Sequence, residues 1–136
     1  MISGDSVEMS EQCNRQSFCY RDLIVWQRSM ELCKRIYEIT AGFPAEEKFG
    51  IVSQMRRAAV SIPSNISEGQ GRLSTKEFRQ FLGVARGSLR ELETQTLISN
   101  DLEYVESQSA SQALALMEEV SRMLNKLITS LTSRIS

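Results

Sequence analysis

Ala113-Leu-Ala-Leu-Met117-Glu-Glu-Val120-Ser-Arg-Met-Leu124-Asn-Lys-Leu127-Ile-Thr-Ser-Leu131 is the stretch that decides the fold. Ala113, Met117, Val120, Leu124, Leu127 and Leu131 follow one another at steps of 4, 3, 4, 3 and 4. A strand repeats every second residue and a helix about every 3.6, so these steps draw one apolar stripe down one side of a helix. Upstream the same rhythm returns in three further blocks. The third block opens on Ser74-Thr75-Lys76-Glu77, where Ser74 and Glu77 stand three apart just before Phe78. That is a capping box, which gives partners to backbone donors a helix start would leave unpaired. Its core stripe reads Phe78, Leu82, Ala85, Leu89, Leu92 and Thr96, flanked by Phe81, Val84 and Ile98, and a polar junction over 100–108 follows it.

The second block begins at Ala45, with Glu46 and Glu47 at the positive end of the helix dipole. Ile51, Val52, Met55, Ala58, Ala59, Ile62 and Ile66 form its inner side, and Glu68-Gly69-Gln70-Gly71 ends it. Pro63 lacks an N–H and crowds the carbonyl of Ala59, yet the apolar spacing resumes in phase at Ile66. The pattern therefore predicts one helix kinked at Pro63 rather than two helices. The first block spans 22–41, with Asp22 as N-cap, a stripe of Leu23, Trp26, Met30, Cys33 and Tyr37, and Gly42-Phe43-Pro44 as its stop. Four helices on short loops imply an all-α, antiparallel up-down-up-down bundle over 20–136. Residues 1–19 read as a polar, mobile lead-in.

The chain has 136 residues, with 16 Lys+Arg against 17 Asp+Glu and no histidine. Missing histidine removes the commonest general base and metal ligand, and with it the Glu-x-x-His pairs of di-iron bundles. There is no Gly-x-Ser-x-Gly elbow, and Gly69-Gln-Gly71 follows no strand, so it is no phosphate-cradling loop. The expectation is a non-enzyme without cofactor or metal. No apolar run reaches the roughly 18 residues of a membrane span, and the first ten residues form no secretory signal. Cys13, Cys19 and Cys33 cannot all pair and form no Cys-x-x-Cys, which fits a reduced, cytoplasmic chain; Cys33, on the stripe, should be inert.

The most informative charge pattern lies on block three. Arg72, Lys76, Arg79, Arg86 and Arg90 keep the rhythm of the core one residue out of register, with Gly83 in the vacant place. One residue is roughly 100° of helix rotation, so the stripe runs beside the buried seam. Residues 70–99 carry those five bases against Glu77, Glu91 and Glu93, whereas 100–136 reverses the balance. Arg56 and Arg57 on block two are expected to extend the same surface. Two readings stand: the arginines contact phosphates of RNA or DNA, or they are structural, snorkelling over the core or forming salt bridges across a subunit boundary in a protein–protein interaction module, with Glu68, Glu118 and Glu119 as available acids. An isoelectric point near 5.6 and the burial expected of Phe78 and Phe81 weigh against the first. Gly83-x-x-x-Gly87 implies close approach of another helix, preferably within the bundle. Asn65 and Glu68, with Ser61, Ser64 and Ser67, form a polar cluster beside Pro63 that either satisfies loosened carbonyls or lines a pocket.

Beyond these patterns, the run Gln54-Met-Arg56-Arg57-Ala-Ala-Val-Ser-Ile-Pro63-Ser-Asn65-Ile-Ser-Glu68-Gly69 with Gly71-Arg72 resembles the bacterial proteins encoded in intervening sequences of 23S ribosomal RNA genes. So do Lys76-Glu77-Phe78, Phe81-Leu82, Ala85 to Leu89, Glu91 to Gln95, and Asp22-Leu23 with Val25-Trp26-Gln27. The resemblance spans about 20–130 and implies a four-helix bundle that assembles as a homopentamer around a channel. That family is similar to the accessory variability determinant proteins of diversity-generating retroelements, which bind nucleic acid and a reverse transcriptase. By that analogy Arg56, Arg57, Arg72, Lys76, Arg79, Arg86 and Arg90 are the candidate nucleic-acid contacts.

Overall fold

The computed structural model describes residues 19–135. The expected lead-in, apart from Cys19, and Cys13 within it lie outside the described residues. Four helices follow: α1 (Ile24–Thr40), α2 (Ile51–Gln70), α3 (Thr75–Asp101) and α4 (Ser107–Ile135). Short 3-10 turns, Tyr20–Asp22 and Ala45–Glu47, precede α1 and α2. Each helix packs on its chain neighbours and α1 closes the ring on α4, while the diagonal pairs scarcely touch. The result is the antiparallel four-helix bundle that the periodicity predicts.

The core is the set of inward stripes. Met55, Ile62 and Ile66 of α2, Leu82 and Leu92 of α3, and Met117 and Leu124 of α4 are wholly buried. α2 runs unbroken through Pro63, which is itself buried. Ser74 caps α3 as read, its Oγ accepting from the N–H of Glu77 at 3.1 Å. Gly69 lets α2 and α3 meet closely, since a Cβ there would stand 2.6 Å from Phe81 Cβ and 3.3 Å from the Phe78 carbonyl oxygen.

Three local readings need correction. The buried stripe of α1 is Val25, Ser29, Leu32, Ile36 and Thr40, one residue earlier than the apolar spacing suggests. Ser29 and Thr40 tolerate burial because their hydroxyls donate to the carbonyls of Trp26 and Ile36, both at 2.7 Å. Asp22 does not cap α1; Leu23 occupies that position without a side-chain hydrogen bond. α2 begins at Ile51, not Ala45, which leaves Lys48, Phe49 and Gly50 in the connection. Cys33 is a half-buried free thiol whose ionisation burial pushes upward, which keeps it poor in reactive thiolate.

The far end of the bundle is fastened by side chains. Tyr104 Oη donates to Glu47 Oε2 at 2.8 Å, and its ring lies 5.6 Å from that of Phe43. α3 ends in a Schellman turn: the N–H groups of Tyr104 and Glu103 reach the carbonyls of Ser99 and Asn100. Glu103 takes the left-handed conformation there, with φ 61°.

Candidate nucleic-acid interface

α3 shows its cationic stripe to the outside, where that helix meets α4. Lys76 and Arg79 are exposed, and neither has a partner among the described residues. Arg86 is exposed and reaches across to α4, donating from Nη1 to Asn125 Oδ1 at 3.0 Å. Asn125 is neutral, so that bond orients the guanidinium without cancelling its charge. Arg90 meets Glu93 at 3.4 Å on its own helix. Arg72, at the helix start, meets Glu68 at 3.0 Å and lies 4.8 Å over the Phe81 ring. Both pairs are exposed, so each contributes at most about 1 kcal/mol and is screened by salt.

The acids named as neutralising partners are mostly engaged elsewhere. Glu119 holds Arg28 of α1 at 3.2 Å, and Glu118 holds Arg122 at 3.1 Å. Of the three only Glu68 takes a residue of the stripe. Gly83 leaves a bare length of backbone between Arg79 and Arg86.

Two expectations about neighbouring residues fail. Arg56 and Arg57 do not continue the stripe. Arg56 bonds α1, with Nε donating to Thr40 Oγ1 at 2.9 Å and Nη2 to the Tyr37 carbonyl at 3.3 Å. That places the pair on the α1–α2 side of the ring, across the bundle from the α3–α4 face. Gly83 and Gly87 do not receive a helix of the same bundle either, since a Cβ at either would meet nothing within 4 Å.

Asn65 and Glu68 do not form one pocket. Asn65 Nδ2 donates to the carbonyl and hydroxyl of Ser61, at 2.8 and 3.0 Å, and Ser61 Oγ lies 2.8 Å from Ser88 Oγ of α3. Glu68 points outward to Arg72. The cluster therefore serves the backbone of α2 and its seam with α3, which is the structural alternative the sequence left open.

What the sequence missed is aromatic. Phe49 is 89 % exposed and Tyr37 42 % exposed, both on the Arg56 side of the bundle. Phe49 was hidden because the second helix was expected to begin upstream of it, and Tyr37 because it fell on the supposed core stripe of α1. Among the described residues no helix is long and apolar enough to cross a membrane.

The 23S rRNA-intervening sequence protein family matches the chain over residues 21–126, and the chain belongs to that family. Its fold is similar to that of a protein from Bacteroides thetaiotaomicron VPI-5482, described as of unknown function and from the S23 ribosomal protein family. The two share 24 % sequence identity at a TM-score of 0.73, over 78 % of this chain and 96 % of the other. No curated protein matches the chain significantly.

Proposed function

We propose that this member of the 23S rRNA-intervening sequence protein family is a non-enzymatic, oligomeric helical bundle that holds RNA or DNA along the basic stripe of α3. One observation carries the reading: Lys76, Arg79, Arg86 and Arg90 line one outer face, and Glu93 is the one carboxylate bonded to any of them among the described residues. A row of guanidinium groups with spare donors suits phosphate oxygens, to which Arg binds as a planar fork. Such a contact works by displacing counterions at the face itself, and a net charge of −1 over the whole chain adds no long-range attraction to it. The retroelement likeness extends the proposal to a cytoplasmic homopentamer that serves a ribosomal-RNA or reverse-transcriptase system.

Reversing Arg79 and Arg86 together to Glu is the test, read by fluorescence anisotropy with a labelled RNA. Binding should weaken by well over tenfold while far-ultraviolet circular dichroism stays unchanged. Unaltered affinity would refute the proposal. A second reading, that α3 joins subunits through salt bridges of its arginines, is favoured by the open ground at Gly83 and Gly87 and by the exposed Val84 between them. Under that reading the same reversals lower the mass seen by light scattering, and the wild type ignores RNA.

A further inference from the structure

A second surface, on the opposite side of the bundle, carries chemistry that the stripe does not. α1, the 45–50 connection and α2 border a shallow open cleft of about 480 Å³, lined by Tyr37, Lys48, Phe49, Arg56 and Arg57 among others. Three of its lining residues are cationic and none is acidic. Glu47, two residues before Phe49, has its carboxylate turned to Tyr104.

Within the cleft the rings and charges are interleaved. The Arg56 guanidinium lies 4.6 Å from the centroid of Tyr37 and is fixed by its bonds to Thr40 Oγ1 and the Tyr37 carbonyl. Thr40 is itself buried and bonded to the Ile36 carbonyl, so the arginine is anchored before any ligand arrives. Lys48 Nζ stands 5.5 Å from the centroid of Phe49, and Arg57 has no partner among the described residues. Phe49 matters for its chemistry: a phenyl ring 89 % exposed adds little burial to the fold and offers an open π face beside these cations.

We infer that this cleft binds an unpaired nucleotide of a single-stranded nucleic acid, the base stacking on Phe49 and the flanking phosphates meeting Arg56, Arg57 and Lys48. Flat rings beside fixed guanidinium groups match the two parts of a nucleotide, a π face and an anion. A duplex is excluded because its bases present no free face, so the cleft selects strand over helix. An acidic peptide would use the cations but leave the exposed ring without a partner. The inference shares the polyanion class with the proposed function but not its surface, so each stands or falls alone.

The experiment uses the full chain and fluorescence anisotropy with two labelled RNAs, an unstructured 12-nucleotide oligouridylate and a blunt duplex of equal length. Phe49→Ala and Phe49→Trp are compared with the wild type; the ring's exposure makes both compatible with folding. Phe49→Ala should weaken single-strand binding by between about 5- and 150-fold, the range of one stacked base, and leave duplex binding and the salt slope alone. Phe49→Trp should restore it, and Arg57→Gln should reduce the salt slope for the single strand by about 0.7.

Unchanged oligouridylate affinity in Phe49→Ala overturns the inference, even if Arg79→Glu with Arg86→Glu abolishes duplex binding and so sustains the α3 proposal. Loss at Phe49 alone, with the α3 reversals silent, leaves the inference standing and removes that proposal. A fall in particle mass in Phe49→Ala without effect on RNA assigns the cleft to a second copy and overturns it. Displacement of the oligonucleotide by an equal concentration of uridine monophosphate assigns the cleft to free nucleotides and overturns it too.

Discussion

Gly69 and Gly83 offer a matched pair of substitutions, because both sit inside helices and only one has a neighbour. Replacing glycine by alanine inside a helix gains about 1 kcal/mol from backbone entropy at either site. At Gly83 nothing opposes that gain, since the added Cβ meets nothing within 4 Å. At Gly69 the same atom would lie 2.6 Å from Phe81 Cβ and 3.3 Å from the carbonyl oxygen of Phe78. Both obstacles belong to the backbone or the root of a side chain of α3, so the whole helix has to retreat rather than one rotamer turn. Overpacking of this kind costs about 1–3 kcal/mol. Gly83→Ala should therefore raise stability by about 1 kcal/mol, and Gly69→Ala should fall about 1–3 kcal/mol below it. Urea denaturation followed by circular dichroism, at a concentration where all three proteins have the same mass, reads this as a midpoint difference on the order of 1 M. Gly69→Ala stabilising as much as Gly83→Ala would refute the close crossing of α2 and α3.

Further outcomes follow from single contacts. Ser74→Ala removes the cap of α3 and should cost about 1 kcal/mol in the same denaturation assay. Glu103→Gly relieves a left-handed backbone at the Schellman turn and should stabilise by about 1 kcal/mol. Ile36→Ala should cost about 2–5 kcal/mol, against far less for Met30→Ala; the reverse order would restore the apolar-spacing register of α1. The hydrogen bond to Glu47, then burial and the Glu47 and Glu46 charges, hold the Tyr104 hydroxyl above its ordinary ionisation range. Because the folded value is raised, that contact stabilises fully below the ordinary tyrosine range and fades as pH rises from there through the folded value. Ultraviolet titration should show one late tyrosine in the wild type that moves earlier in Glu47→Gln.

The fold was legible wherever burial and apolarity coincide. α2, α3 and α4 bury most of the residues that their spacing selects, as Met55, Leu82 and Met117 illustrate, while Ile51, Phe78 and Leu127 are only partly covered and the expected flank residues Val84 and Ile98 are exposed. α1 was misread because two of its core positions are hydroxyl residues that bond their own helix, while Trp26, Met30 and Tyr37 occupy the flank. Pattern reasoning ranks a methionine above a serine; the packing ranks by direction. The cationic stripe was legible because a shift of one residue from the core survives any small error in register. Which of its cations stay unpaired was not, since pairing depends on which helices adjoin: Arg72 and Arg90 meet Glu68 and Glu93, while α1 competes for Glu119 through Arg28. The start of α2 was equally opaque, and with it Phe49, because Glu46 and Glu47 favour a helix start where the chain makes only a 3-10 turn.

The central claim is that α3 presents a working polyanion surface. It is tested most directly by the affinity of the wild-type protein for a blunt DNA duplex, which the Phe49 cleft excludes, across a range of monovalent salt. Four phosphates neutralised by Lys76, Arg79, Arg86 and Arg90 predict a log–log slope of about −3.6, and a flat line, or no binding at the lowest salt, would contradict the account.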